Sequence, residues 1–305
     1  MNVLLTGASG FLGSRIYAEL VRHHTVTTLG RTPVAERHIT ADLTRPLPSL
    51  GHMSFDYVVN AAGKAHSLPR TPAERAEYEQ VNVLGTAQLL SALEAMPMLP
   101  RAVLHISTVL VYGRTEGHML DETTPLGASD AYGLSKVRAE TTLREWGQRT
   151  GSCVTLLRLP LVVAERPNGN VASLMNAIRR GYYVRVGNGL ARRSMVRADD
   201  VAALIGRVAG IGGTFNLTDG CHPGVGELEN ALARYVGRQQ PIRSVPMVAA
   251  RAVATVGDGI NALIGRRFPL DTAALQKLTS SLTFSDAAAQ RHLSWQPRPV
   301  LDLFT

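Results

Sequence analysis

Tyr132 and Lys136 stand four residues apart in Tyr132-Gly133-Leu134-Ser135-Lys136, just behind Ser129-Asp130, a pair suited to opening a helix. On a helix that spacing places the phenol and the ammonium on one face. A neighbouring ammonium favours phenolate, so the pair is expected to lower the tyrosine pKa and to serve as a general acid or base. Upstream, Ile106-Ser107-Thr108 closes an apolar run with two hydroxyls and leads into Val111-Tyr112-Gly113. The C-terminal end of a buried strand is where open α/β sheets bind ligands, so these hydroxyls are placed for chemistry. Each piece alone is widespread by chance; their joint presence is the signal.

A second constellation lies at the start of the chain. Thr6-Gly7-Ala8-Ser9-Gly10-Phe11-Leu12-Gly13 follows a strand-like run and opens a helix carrying Phe11, Leu12, Ile16 and Leu20. Gly7 permits a tight turn, Gly10 lets the backbone approach a pyrophosphate, and Gly13 lets the helix pack close to the sheet. The phosphates then rest at the helix N-terminus, beside Phe11 and Leu12. The next strand ends at Leu29-Gly30-Arg31, where an NAD-binding unit places a carboxylate on the adenosine ribose, and no carboxylate is there. Arg31 is instead suited to a 2′-phosphate, which makes NADP(H) the preferred cofactor and leaves NAD(H) possible; the competing reading is a solvated arginine. Asp42-Leu43, after the third strand, offers an acceptor for the adenine amino group or a plain turn residue.

The elements that must hold these groups follow from periodicity. β-branched runs at Val3-Leu5, Thr25-Leu29, Tyr57-Val59, Val103-Ile106 and Val154-Leu159 alternate with helical patterns, which predicts a parallel sheet covered on both faces. The fold class is α/β, a Rossmann-type doubly wound sheet with a smaller, mostly helical C-terminal substrate lobe. Residues 1–159 form the dinucleotide-binding domain, with 196–218 returning to it, and 160–195 and 219–305 form the substrate-binding lobe. Val245 to Ile264 is apolar but is broken by Arg251, Asp258 and glycines, so it is read as a buried or amphipathic helix and no membrane insertion is expected.

Composition narrows the function classes. The 305 residues, 45% apolar and 18% charged, suit a folded enzyme. Two cysteines, Cys153 and Cys221, make neither a disulfide framework nor a four-ligand zinc site, so no metal is expected and a cytoplasmic location is. The formal charge of +8 is spread over arginines without a run longer than a pair, which speaks against nucleic acid as a partner.

With these motifs together, the chain resembles the extended short-chain dehydrogenase/reductase family, in its nucleotide-sugar epimerase and ketoreductase branch. The resemblance implies that Tyr132 donates or accepts the proton, that Lys136 lowers its pKa and binds the nicotinamide ribose, and that Thr108 orients the reacting oxygen, with Ser107 one position before it. It extends to Asn60-Ala61-Ala62-Gly63, a cofactor-lining turn, to Asn82 in Val81-Asn82-Val83-Leu84-Gly85-Thr86, to Pro160 in Arg158-Leu159-Pro160-Leu161, and to the closing Leu293-Ser294-Trp295-Gln296-Pro297. Leu161 stands where many sugar epimerases carry an asparagine. By position, Asn170 and Arg193 match the branch's cap-helix asparagine and diphosphate arginine; a helix-capping asparagine and a surface arginine are the competing readings. His66 lies in a loop that overlooks the sugar, either to shuttle protons or simply as a loop residue.

The expected activity is NADP-dependent reduction of the C4 keto group of a nucleotide-activated, 6-deoxy sugar, with Tyr132 as proton donor. A 4-epimerase with tightly bound NAD uses the same triad and is the alternative. A non-catalytic NADP-sensing regulator on the same fold is the remote one. The family resemblance favours a homodimer.

Overall fold

The structure is a computed structural model that describes residues 1–305 apart from 66–68, 70, 209 and 265–270, with the backbone alone at 262–264. The first half alternates as the spacing requires: β1 (Asn2–Thr6), α1 (Phe11–Leu20), β2 (Thr25–Gly30), β3 (His38–Thr40), β4 (Tyr57–Asn60), α2 (Pro72–Tyr78) and α3 (Gly85–Glu94). Next come β5 (Ala102–Thr108), β6 (Gly117–Leu120), α4 (Ala131–Thr150) and β7 (Cys153–Leu159). Seven strands make one parallel sheet in the order β3-β2-β1-β4-β5-β7-β11, where β11 is Gly213–Asn216. Strand order reverses between β1 and β4, which opens a crevice above their C-terminal ends.

Strand alternation divides the core residue by residue. Val3, Leu5, Val59, Leu104 and Leu157 face Ile16, Leu20, Val201, Ile205 and Trp295 on one side of the sheet. Leu4, Val58, Val103 and Leu156 face Leu89, Leu93, Leu143 and Trp146 on the other. Both faces are covered, so the strands read as continuous apolar runs.

The C-terminal half contains β8 (Leu161–Val163), α5 (Gly169–Arg179), β9 (Arg185–Val186), β10 (Met195–Arg197), α6 (Ala198–Ile205) and α7 (Val225–Tyr235). It ends with β12 (Ser244–Val245), α8 (Met247–Ile264), α9 (Thr272–Thr279), β13 (Leu282–Phe284) and α10 (Ala287–Leu293). The lobe is mostly helical, but three small parallel pairs, β8 with β10, β9 with β12 and β6 with β13, stitch it together. The segment read as a buried or amphipathic helix is α8, with Val245 in β12 before it.

Candidate active site

The glycine turn is shaped by backbone approaches that admit no side chain. Gly7 has φ +75, and a Cβ on it would lie 2.6 Å from the carbonyl carbon of Ala61. On Gly13 a Cβ would meet the Gly7 carbonyl oxygen at 1.9 Å, whereas on Gly10 its nearest neighbour is at 3.2 Å. Gly7 and Gly13 therefore serve chain packing, and Gly10 leaves the exposed edge where a ligand approaches. Phe11 and Leu12 form the first turn of α1, which has no side-chain cap and no acidic residue in that turn. An uncapped helix start above a glycine cradle fits a pyrophosphate. Thr6 ties this turn to the next, donating to Asn60 Oδ1 at 2.8 Å and accepting from the Ala62 N–H at 3.2 Å.

Arg31 is exposed one residue past the end of β2, beside Gly30, which has open space around it. Asp42 acts as a turn residue, because its Oδ1 accepts from both the N–H and the hydroxyl of Thr44 at 2.9 Å. Those two bonds, helped by Arg31 and Arg45, hold its carboxyl below the usual range. Leu43 packs against Gly85 at the start of α3 and, partly buried, against the core on that side of the sheet.

Asp130 is the N-cap of α4, as its position in the sequence suggests, and accepts from the N–H groups of Tyr132 and Gly133 at 3.1 and 3.0 Å. That cap sets the rotation of the helix. The Tyr132 phenol meets the Thr108 hydroxyl, and Thr108 Oγ1 also accepts from Leu110 N–H at 3.2 Å. Lys136 Nζ donates to the Ile106 carbonyl at 2.8 Å and passes so close to Gly63 that a Cβ there would lie 3.2 Å from it. Asn82 sits in a π-helical turn, Glu79–Leu84, where one extra residue per turn rotates its side chain into the site. Its Oδ1 accepts from Lys64 N–H at 2.8 Å and its Nδ2 donates to Ser135 Oγ at 2.8 Å.

The electrostatics depart from the sequence expectation at one point. Burial pushes the Tyr132 phenol up to about 12, against the Thr108 hydrogen bond that lowers it, with Tyr78 and Asp130 adding to the rise. The phenol is therefore raised, not lowered, because desolvation outweighs the Thr108 hydrogen bond. Burial also drives Lys136 down to about 8, with Glu140 opposing.

Ser107 points to the opposite side of β5 from Thr108, and its hydroxyl donates to Glu140 Oε1 at 2.5 Å. Its side chain thus supports the site from behind, which leaves only its backbone to a cofactor. Glu140 is fully buried and receives Arg158 through two bonds, at 3.0 and 2.7 Å, and Arg144 at 2.8 Å. Arg158 also donates to Tyr112 Oη at 2.9 Å, which in turn donates to Asn216 Oδ1 at 2.8 Å. This chain of contacts was missed in the sequence, as was Tyr78, whose ring lies 5.8 Å from that of Tyr132. Glu140 alone left a signal, one helical turn beyond Lys136.

The remaining candidates lie farther from the triad. Pro160 joins β7 to β8 at the sheet's C-terminal edge. Asn170 is exposed in the first turn of α5, and the cap position belongs to Asn168, so the helix-capping reading of Asn170 is overturned. Arg193 is half-buried and donates to the Lys277 carbonyl of α9 instead of lying free on the surface. His66 falls outside the described residues.

Residues 3–216 match the NAD dependent epimerase/dehydratase family. An Escherichia coli O157:H7 protein named N-acetyl-alpha-D-glucosaminyl-diphospho-ditrans,octacis-undecaprenol 4-epimerase is 27% identical over 93% of this chain and 87% of its own length. A Pseudomonas aeruginosa UDP-2-acetamido-2,6-beta-L-arabino-hexul-4-ose reductase is 28% identical over 66% of this chain, which spans 47% of that relative. The crystal structure of a human epimerase family protein with NADPH superposes with a TM-score of 0.77 at 20% identity, over all of this chain and 97% of that one, a likeness of fold. With the family match spanning the glycine cradle, Thr108, Tyr132 and Lys136, the chain belongs to the NAD dependent epimerase/dehydratase family and is an NAD(P)-dependent oxidoreductase or epimerase of the extended short-chain dehydrogenase/reductase type.

Proposed function

We propose that this protein reduces the C4 keto group of a nucleotide-activated, 6-deoxy sugar with NADPH. The observation that carries the reading is Arg31, exposed one residue past the end of β2 where an NAD-binding unit places a carboxylate, in a chain whose Tyr132 phenol meets the Thr108 hydroxyl. An arginine there suits the 2′-phosphate of NADPH, the reductant, and a protonated phenol supplies the proton that reduction of a ketone needs. An epimerase must first remove a proton from a C4 hydroxyl, for which phenolate is the useful form.

In this reading the turn that Gly7 and Gly13 shape holds the pyrophosphate at Gly10, Phe11 and Leu12, with Arg31 on the 2′-phosphate and Asp42 and Leu43 at the adenine. Ala61, Ala62, Gly63, Asn82, the Ser107 backbone and Pro160 line the path to the nicotinamide. Bound NADPH supplies the hydride. Tyr132 Oη–H delivers its proton to the oxygen that becomes the C4 hydroxyl, and Thr108 orients that oxygen. The phenolate left on Tyr132 is stabilised by the Thr108 hydroxyl and the Lys136 charge, and is reprotonated from solvent before the next turnover. Glu140, one turn along α4, helps keep Lys136 protonated. Residues 1–159 with 196–218 serve as the cofactor domain. The remainder serves as the substrate lobe, with Asn170 and Arg193 toward the sugar diphosphate.

The second reading is a 4-epimerase, supported by the name of the Escherichia coli relative. One experiment separates them. Purified protein is incubated with nucleotide-linked 4-keto-6-deoxy sugars and, separately, nucleotide-hexoses, with NADPH or NADH, and products are read by mass spectrometry and loss of reduced-nicotinamide absorbance. Reduction of the keto sugars with NADPH supports the first reading. Interconversion of hexoses without net cofactor use, by protein that carries bound NAD, replaces it with the second.

A further inference from the structure

The helix α8 buries only one side. Ala250 and Ala254 are 2% and 1% exposed and pack with Leu275 of α9, flanked by Val186, Val245 and Met247. On the other side Val248 is 79%, Val253 46% and Val256 61% exposed, and Ala249 and Ala252 are exposed between them. At 3.6 residues per turn these five positions sweep about 140° of the helix circumference without a polar residue. Leu278 of α9 is also 52% exposed. A contiguous apolar surface of this kind marks an interaction site.

Charge selects the occupant. Residues 160–195 and 219–305 carry 15 arginines and lysines against 8 acidic residues, whereas the rest of the chain carries 17 against 16, so the C-terminal lobe holds +7 of the formal +8. Arg251 flanks the apolar stripe, and Asp258, the single acidic residue of α8, lies off the stripe and accepts from the backbone N–H and hydroxyl of Thr272. A second copy of the chain would bring an equally positive lobe and repel, while an anionic lipid surface attracts the lobe and accepts the valines. Among the described residues no helix is long and apolar enough to cross a membrane, which leaves α8 to lie in the interface plane.

We propose that the exposed face of α8 docks this protein peripherally on an anionic lipid bilayer. The docked helix is joined to the site, since α9 packs on α8 and the Lys277 carbonyl of α9 accepts from Arg193. The docking does not depend on the sugar assignment, because binding to vesicles is read without turnover.

The full-length protein is floated with vesicles of phosphatidylcholine alone or with about one third phosphatidylglycerol, at low and high salt. Binding is expected to the mixed vesicles, to weaken with salt, and to fall by about tenfold or more in the pair Val248→Glu, Val256→Glu. NADP(H) affinity of that variant should be unchanged, which also shows that it folds. The pair Val248→Leu, Val256→Leu adds apolar area on the same face and should strengthen binding by about three- to tenfold, so the idea stays exposed if the glutamates prevent folding. No vesicle binding, or equal binding by wild type and both pairs, overturns the proposal. So does a dimer in light scattering that the glutamate pair disperses, which would assign the face to a second copy.

Discussion

Replacing Lys136 with Met is expected to stabilise the folded chain while disabling it. The lysine is buried against β5, its Nζ on the Ile106 carbonyl at 2.8 Å, and burial lowers its pKa from 10.5 to about 8. Between those values the unfolded chain holds a proton that the native chain has released, so stability rises with pH across the window. Below about pH 8 the full penalty of a buried ammonium is present. A fall of about 2.5 units corresponds to about 3 kcal/mol, and losing the Ile106 hydrogen bond takes back about 1 kcal/mol. Lys136→Met should therefore be about 2 kcal/mol more stable than wild type near pH 7, with the advantage gone by about pH 10. Urea unfolding of both proteins between about pH 6.5 and 9.5 measures this, and the difference between the curves removes the opposing effect of Cys153, whose raised thiol is common to both. On the proposed roles, cofactor affinity and turnover should both collapse in the variant, since a ribose contact and the charge near Tyr132 would be lost. Parallel curves, or a less stable variant at pH 7, would refute the argument that burial sets the lysine's pKa.

Tyr132→Phe should lower turnover by about 10²- to 10⁴-fold with cofactor affinity retained, measured by steady-state kinetics beside a binding titration. Arg31→Ala should weaken NADP(H) binding by about 10- to 100-fold and leave NAD(H) unchanged; equal affinities for both in wild type would end the NADP preference and favour the epimerase. Glu140→Leu should cost about 3–5 kcal/mol by stranding the buried Arg158, and the double change Glu140→Leu, Arg158→Met should recover most of it in thermal melts. Although burial alone would raise it, Arg158, Ser107 and Arg144 hold the Glu140 carboxyl below its ordinary 4.5. Its contribution is present above that value and is lost as pH falls through the lower native one, a loss of acid stability that the double variant should not show. Gly13→Ala, which drives a Cβ to 1.9 Å from the Gly7 carbonyl, should destabilise by about 1–3 kcal/mol and weaken cofactor binding.

Local spacing was enough for the parts of this protein that local physics builds. Glycines at 7, 10 and 13 after a strand, alternating apolar runs, and an Asp130 cap ahead of Tyr132 and Lys136 each act within a few residues, and the fold and enzyme class follow from them. A third strand is expected ahead of Asp42, but the sequence gives it no bounds, because the partly exposed residues of the three-residue β3 carry no periodic pattern. Tertiary packing alone decided the rest. The π-helical turn that aims Asn82 inward has no compositional mark, and the Glu140–Arg158–Tyr112–Asn216 chain joins residues up to 104 apart. Arg193 was legible as a residue but not as a partner of Lys277, 84 positions away. The protonation of Tyr132 was misjudged for the same reason: sequence shows that an ammonium is near, but how much water surrounds the phenol is set by elements arriving from the whole chain, and here desolvation wins.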